Sequence, residues 1–406
     1  MKGRQFDDGW GTTLLASLLY PIGPAAIVLM PMIVGGLIDT YGYTEQQAAN
    51  IAALEGMGLV VSSVLAALWI RKVSWVSALV LAFLAYAALN AVSASLAGYV
   101  PLLVMRFLTG LAGGSLFAVS VAALGDNREP DRAFGLAQAV QGVLMLGAFS
   151  AAPWLLKSWG VGALYYLLGG AALLMLATAW WFPVQGRVRA AVPGTPAPAA
   201  QHTALIWLGL LASVIFFVNV FGFWAFVERI GQEAQLPADT IGLALGVSQV
   251  VAIAGALAAA WASDRYGRYW PLLIVLVGQV ASLFAVLGDF GPAAYFLSTG
   301  AFQALFIVGV SYQMGAIAKL DVRGRFLVMM TAAQGLGSAV GPAVAALLIG
   351  EGGNYDGVMQ MAALACLVST LLFLFVIWRS RGVDAGAAAP VVSPRDSTRE
   401  TRANAP

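Results

Sequence analysis

Apolar runs of about twenty residues, separated by short polar breaks, follow one another along almost the whole 406-residue chain. A helix rising about 1.5 Å per residue needs roughly that length to cross about 30 Å of hydrocarbon. The pattern predicts six helical spans near 13–38, 48–70, 74–94, 98–124, 133–156 and 162–183. A second six follow near 204–228, 240–262, 270–288, 292–318, 326–350 and 357–378. The first run is too long for a cleaved leader, is preceded by Asp7 and Asp8, and lacks a small-residue cleavage site, so it is expected to be a true span.

Composition agrees with the pattern. Hydrophobic residues make up 60% of the chain and charged residues 10%, against about 25% charged in a soluble domain. Charge placement then gives an orientation. With the N-terminus on the cytoplasmic side, 18 of the 21 lysines and arginines fall on cytoplasmic segments. Lys157 and Arg229 fall outside, and Arg106 lies within a span. Acidic residues split ten inside and eight outside, as expected of a rule that follows Lys/Arg. Both chain ends are therefore expected in the cytoplasm of a cell with this protein in its inner membrane. Trp69, Trp75, Trp181, Trp270 and Trp378 at inner ends, and Trp154 and Trp159 at outer ends, read as interfacial anchors.

The segment 184–203 is rich in Pro and Ala and reads as a flexible linker between residues 1–183 and 204–380, while 381–406 reads as a disordered tail. The two halves share a register. Arg132 with Gln141-Gly142 recurs as Arg325 with Gln334-Gly335, Ala66-Ala67-Leu68-Trp69 as Ala258-Ala259-Ala260-Trp261, and Thr109-Gly110 as Thr299-Gly300. Near-constant offsets at equivalent places predict two related six-helix bundles, an arrangement that puts a binding site between them near the midplane.

After the eighth span the chain reads Ala260-Trp261-Ala262-Ser263-Asp264-Arg265-Tyr266-Gly267-Arg268-Tyr269. This resembles the major facilitator superfamily loop signature glycine-x-x-x-aspartate-arginine-x-glycine-arginine-arginine, with Ala260 and Tyr269 as departures. The equivalent first-half loop, Trp69-Ile70-Arg71-Lys72, lacks the aspartate. Gly267 allows a tight turn. The resemblance implies that Asp264, Arg265, Gly267 and Arg268 form a latch between the halves, stabilising one of two alternating states. The ordinary alternative is a charged loop obeying the positive-inside rule. The fourth span, from Leu102 through Arg106 to Thr109-Gly110 and Gly113-Gly114, resembles a second signature of that superfamily, in which the arginine serves proton coupling or substrate binding.

An arginine eight residues into a span marks function and needs a partner at equal depth. Glu55 is the acidic residue well inside a span, so a Glu55–Arg106 pair is expected. It would either couple proton uptake to anion binding or simply fix packing. Gly337-x-x-x-Gly341-Pro342 in the eleventh span is expected to pack helices. Phe217, Phe221, Trp224 and Glu228 share one helical face of the seventh span, with Asn219 beside it. The resemblance implies a cavity lined by Tyr20, Pro24, Gly110, Phe117, Phe217, Asn219, Phe221, Trp224, Gln303, Tyr312 and Gln313. Pro21 and Pro24 are expected to break the first span, and Gln138 and Gln141 to join helices rather than meet solute.

The chain has one cysteine, Cys366, and one histidine, His202, which exclude a disulfide framework and multi-histidine metal sites. It contains no Gly-rich loop ending in Lys-Ser/Thr, so ATP hydrolysis in cis is not expected. The sequence thus predicts an all-α polytopic membrane protein, a monomer without cofactor, metal or nucleic-acid partner. Its expected function is secondary transport of a small amphipathic solute, an organic anion or drug-like compound, by alternating access coupled to the proton. The alternatives are a lipid-modifying membrane enzyme and a non-transporting sensor on a transporter fold.

Overall fold

The computed structural model describes residues 10–70, 72–127, 130–185, 200–262, 267–320, 325–349 and 354–387. Among these residues the first half contains α1 (Trp10–Leu19), α2 (Ala25–Val28), α3 (Met30–Tyr41), α4 (Glu45–Trp69), α5 (Trp75–Ala94), α6 (Tyr99–Gly125), α7 (Pro130–Trp159) and α8 (Gly162–Leu176). The second half contains α9 (Ala200–Glu233), α10 (Ala238–Ala262), α11 (Tyr269–Phe284), α12 (Pro292–Leu320), α13 (Arg325–Ala346) and α14 (Asp356–Ala387). Eight of these helices are long and apolar enough to cross a bilayer unaided. The first predicted span is built from α1, α2 and α3, and the sixth from α8 with a 3₁₀ turn at Ala179–Trp181. We call the face where α1 begins and α14 ends the terminal face, and the opposite one, reached at Gly42–Thr44, the distal face.

Local chemistry explains the breaks. Pro21 and Pro24 cannot donate a backbone hydrogen bond, and α1 stops at Leu19 until Pro24 opens the short α2. Gly42, at φ +67°, ends α3 in the left-handed region that glycine enters without a Cβ penalty. Thr44 then starts α4 with a reciprocal capping box to Gln47. Two boundaries differ from the sequence reading. Helix α9 already begins at Ala200, inside the expected linker, and α14 continues to Ala387, past the expected start of the tail. The remainders of both segments, 186–199 and 388–406, lie outside the described residues.

Packing follows the internal repeat. Advancing by six spans carries α4 to α10 and α13 to α7, so the seam α4–α13 should have an equivalent seam α10–α7. Both seams exist and join the two bundles. Within the bundles, α4–α6 corresponds to α10–α12, and α5–α8 to α11–α14. The repeated Gln-Gly pairs occupy equivalent places. A side chain at Gly142 of α7 would run into Ile253 of α10, and one at Gly335 of α13 into Val60 of α4. In lipid, close backbone approach at small residues supplies the attraction that the hydrophobic effect supplies in water. Gly337 and Gly341 do this between α13 and α9, where Val214, Phe217 and Val218 fill the space a Cβ would take.

Apolar side chains such as Leu81, Leu174, Leu297 and Leu347 are exposed on the perimeter, as a lipid-facing belt requires. Trp154, Trp159, Trp181, Trp270 and Trp378 are exposed at helix ends. Trp75 departs from the anchor reading. It is fully buried, and its Nε1–H donates to the Ile70 carbonyl at 2.7 Å, pinning the turn between α4 and α5.

Candidate functional site

Between the bundles, near the middle of α7, α10 and α12, lies a cavity. Its walls come from both halves: Val28 of α2; Gln138, Gln141 and Gly142 of α7; Val220, Phe221 and Trp224 of α9; Gln249, Ala252, Ile253 and Ala256 of α10; Gln303, Phe306 and Ile307 of α12. Four primary amides thus share a chamber with two phenyl rings and an indole, and none of the lining residues is ionisable. Gln138 Nε2 has only a long contact, 3.4 Å, to the Tyr20 hydroxyl. Gln141 and Gln303 make no hydrogen bond to protein among the described residues. Each amide carries two donors and an acceptor oxygen, so unpaired amides facing a cavity are available to a polar guest or to water.

The apolar wall is one connected aromatic group. Phe217 and Phe221 stack at 5.8 Å on successive turns of α9, and Phe306 of α12 meets them edge-on at 5.5 and 6.2 Å. The distal end of the chamber is closed by Trp224, whose Nε1–H donates to the Val28 carbonyl at 2.9 Å and whose ring meets Phe149 edge-on at 6.0 Å. That hydrogen bond crosses from the second half to the first.

Beyond Trp224 the same helix carries a polar closure. Arg229 Nη2 donates to the Gly35 carbonyl at 2.6 Å and to Asp39 Oδ1 at 2.8 Å, both on α3. Glu228 is buried against Gly35, and its Oε1 accepts from Gln232 Nε2. The sequence reading placed Glu228 at the end of its span and counted only Glu55 as a deep acid. Because α9 runs on to Glu233, Glu228 is a buried carboxyl group, as Glu55 and Asp126 are among the described residues.

The Glu55–Arg106 pair is present but stands elsewhere. Arg106, fully buried, donates Nε to Glu55 Oε2 at 3.1 Å and Nη2 to Glu55 Oε1, a two-pronged contact of the kind a planar guanidinium favours. Its Nη1 donates to Asn90 Oδ1 at 2.9 Å, and its Cζ lies 4.4 Å above the Tyr165 ring. These partners belong to α4, α5, α6 and α8, all within the first bundle, and neither Glu55 nor Arg106 is among the residues lining the central cavity.

The expected lining residues therefore divide. Phe221, Trp224 and Gln303 face the cavity, and Phe217 backs it through its stack. Tyr20 stands behind Gln138, with Phe117 5.1 Å from its ring, and Pro24 begins the helix that carries Val28. Four others are corrected. Gly110 faces the α4 backbone at Glu55, where a side chain would collide. Asn219 points to α11 and donates to Gln279 Oε1 at 3.0 Å. Gln313 accepts from Ser213 at 3.3 Å, and Tyr312 packs in an apolar core with Ile206, Leu210 and Leu272, both inside the second bundle. Gln138 and Gln141, expected to join helices, line the cavity instead. Of the expected latch, Asp264 and Arg265 lie outside the described residues. Gly267 adopts φ +62°, and Arg268 lies beside Gly315 of α12, within its own bundle.

Comparison with known proteins gives the same architecture. The family model described as Major Facilitator Superfamily matches residues 13–228 and 209–396. Among solved structures, the chain resembles a D-xylose-proton symporter with a TM-score of 0.72 at 15% identity, over 90% of this chain and 97% of that one. It resembles a bacterial homolog of the human lysosomal transporter Spinster, inward-facing and unoccupied, with a TM-score of 0.70 at 12% identity, over 90% and 96% of the two chains. The inward-open xylose transporter XylE from E. coli gives 0.70 at 16% identity over 88% and 94%. No curated protein matches the chain. With its family signature extending across both six-span halves, the chain belongs to the Major Facilitator Superfamily.

Proposed function

We propose that this protein is a secondary transporter that moves a small uncharged solute, polar on one side and apolar on the other, by alternating access of the central cavity. The observation that carries this reading is the lining itself: four glutamines together with Phe221, Trp224 and Phe306, and no charged side chain. Amides can both donate to and accept from hydroxyl or amide groups of a guest, and aromatic faces take its apolar side. A charged guest entering this chamber would lose its hydration without finding a counter-charge, at a cost of several kcal/mol. The organic-anion expectation rests on Arg106, each of whose three guanidinium nitrogens already donates to Glu55 or Asn90. The same geometry weighs against an enzyme: the chamber offers amides and rings but no nucleophile or acid–base group.

In this reading the protein is a monomer in the inner membrane, with both termini and the terminal face cytoplasmic and the distal face external, the orientation the basic residues favour. The proton is the coupling ion. Loading Glu55 with a proton requires breaking its two hydrogen bonds to a fully buried guanidinium, so the Glu55–Arg106 pair serves the cycle by holding α4 to α6 within the first bundle. The test is uptake into proteoliposomes of matched neutral, anionic and cationic solutes, including monosaccharides, with and without an imposed pH gradient. Accumulation of a neutral solute driven by the gradient is expected. Accumulation restricted to anions or cations would overturn the solute class, and transport indifferent to the gradient would overturn proton coupling.

A further inference from the structure

The distal closure holds a group that solute binding does not use. Glu228 is 5% exposed, and its Oε2 has no hydrogen-bond partner. Arg229 is its nearest cation, yet the Nε lies 3.7 Å from Oε2, and the rest of the guanidinium is spent on Gln232, the Gly35 carbonyl and Asp39. Gly35 of α3 presses directly on the carboxyl group, leaving no room there even for a methyl. Glu228 also lines a second cavity, together with Asp39, Thr40, Lys157, Gln232 and Ala238 among others. That cavity lies at the distal ends of α3, α7, α9 and α10 and offers a route for a proton from the distal solution.

We propose that Glu228 is a proton-binding site that locks the α3–α9 seam. A proton from the distal solution binds Oε2 and turns the carboxylate into a neutral acid, with no other bond changed. The closed seam accommodates the neutral form, because an anionic Oε2 buried without a hydrogen-bond donor is costly. Separation of α3 from α9 wets the carboxyl group and lets the proton leave. Acid therefore favours the distal-closed state and alkali the distal-open state, as linkage between protonation and conformation requires.

The other titratable and charged groups facing Glu228 are few. Helix α3 contributes Asp39, α7 Lys157, and α9 itself Arg229 and Glu233; Tyr295 comes from α12, and Tyr355 precedes α14. Tyr295 donates its hydroxyl to the Val227 carbonyl at 2.8 Å and so does not serve Oε2. The Glu55–Arg106 pair is separate, inside the first bundle.

This inference rests on the alternating-access reading but not on the solute, so its test uses no solute. Spin labels at Trp159→Cys and Gln235→Cys, both exposed at the distal face and one on each half, report the width of the seam; the native Cys366 is buried. In full-length protein in nanodiscs, the closed-to-open ratio should fall up to about tenfold per pH unit through the titration. Glu228→Gln should abolish the response and stay closed at every pH, Glu228→Asp should keep a response with a displaced midpoint, and Asp289→Asn, at an exposed carboxylate between α11 and α12, should respond like the parent. An infrared carbonyl band of a protonated carboxyl group, present in acid, lost in alkali and shifted in Glu228→Asp, identifies the group in protein that retains a carboxylate there. A wild-type pH response in Glu228→Gln, a pH-insensitive parent, or no such band would overturn the site. Each of those results leaves the solute and its transport to be decided separately by the liposome assay.

Discussion

Removing Glu55 separates two accounts of its contact with Arg106. If the contact were only a set of neutral-strength hydrogen bonds, the measured average of about 0.6 kcal/mol for such bonds between membrane helices limits the loss to about 2 kcal/mol. The structure instead places a fully buried guanidinium against a carboxylate that it contacts at two points, with Asn90 and the Tyr165 ring as its remaining support. Deleting one partner of such a pair leaves an uncompensated buried charge, at a cost of about 3–5 kcal/mol. Replacing both partners by apolar residues of similar size removes the stranded charge and is often neutral or better. Glu55→Met and Arg106→Met are therefore each expected to lower stability by about 3–5 kcal/mol, and the double variant to recover most of it. Denaturant unfolding in detergent, followed by tryptophan fluorescence, gives the three values and their coupling energy. Additive losses, or a Glu55→Met loss under about 2 kcal/mol, would refute the charge-pair account.

Other outcomes test different layers of the structure. Gly110→Val places a branched side chain against the α4 backbone at Glu55 and should cost at least about 1–3 kcal/mol, read as a lowered midpoint in the same assay. Gln303→Ala removes a cavity amide without touching a protein hydrogen bond, so stability should hold while KM for the transported solute rises about three- to tenfold, the effect of one lost hydrogen bond. Asn219→Leu, by contrast, breaks the contact to Gln279 behind the cavity and should lower stability while leaving KM within about twofold.

The spans were legible because bilayer thickness dictates how many apolar residues a helix needs, whatever its neighbours. The Glu55–Arg106 contact was legible for a related reason: a deep arginine requires a deep partner, and the sequence offers few acids away from helix ends. Which face of a helix looks at the other bundle was harder to read. Gln138 and Gln141 lie three apart on one face, but that spacing is the same whether the face meets a neighbouring helix or an open chamber. Tyr312 and Gln313 sit on the tenth span, as expected of lining residues, yet helix rotation turns them into the second bundle's interior. Glu228 was recognised on the face of Phe217, Phe221 and Trp224, but its depth depended on where α9 ends, five residues beyond the apolar run. Helix ends are set by capping and tertiary contacts that hydropathy does not register.

Alternating access requires the distal seam to part in every cycle, and the most direct test is to prevent it. Cysteines at Asp39 and Arg229, which face each other across α3 and α9, can be joined by a short bifunctional cross-linker once the protein is in liposomes. The account predicts that cross-linking halts turnover while solute still binds from the terminal side, and that cleaving the linker restores transport to the level of the uncross-linked double variant. Turnover that continues undiminished with the seam fully cross-linked would contradict it.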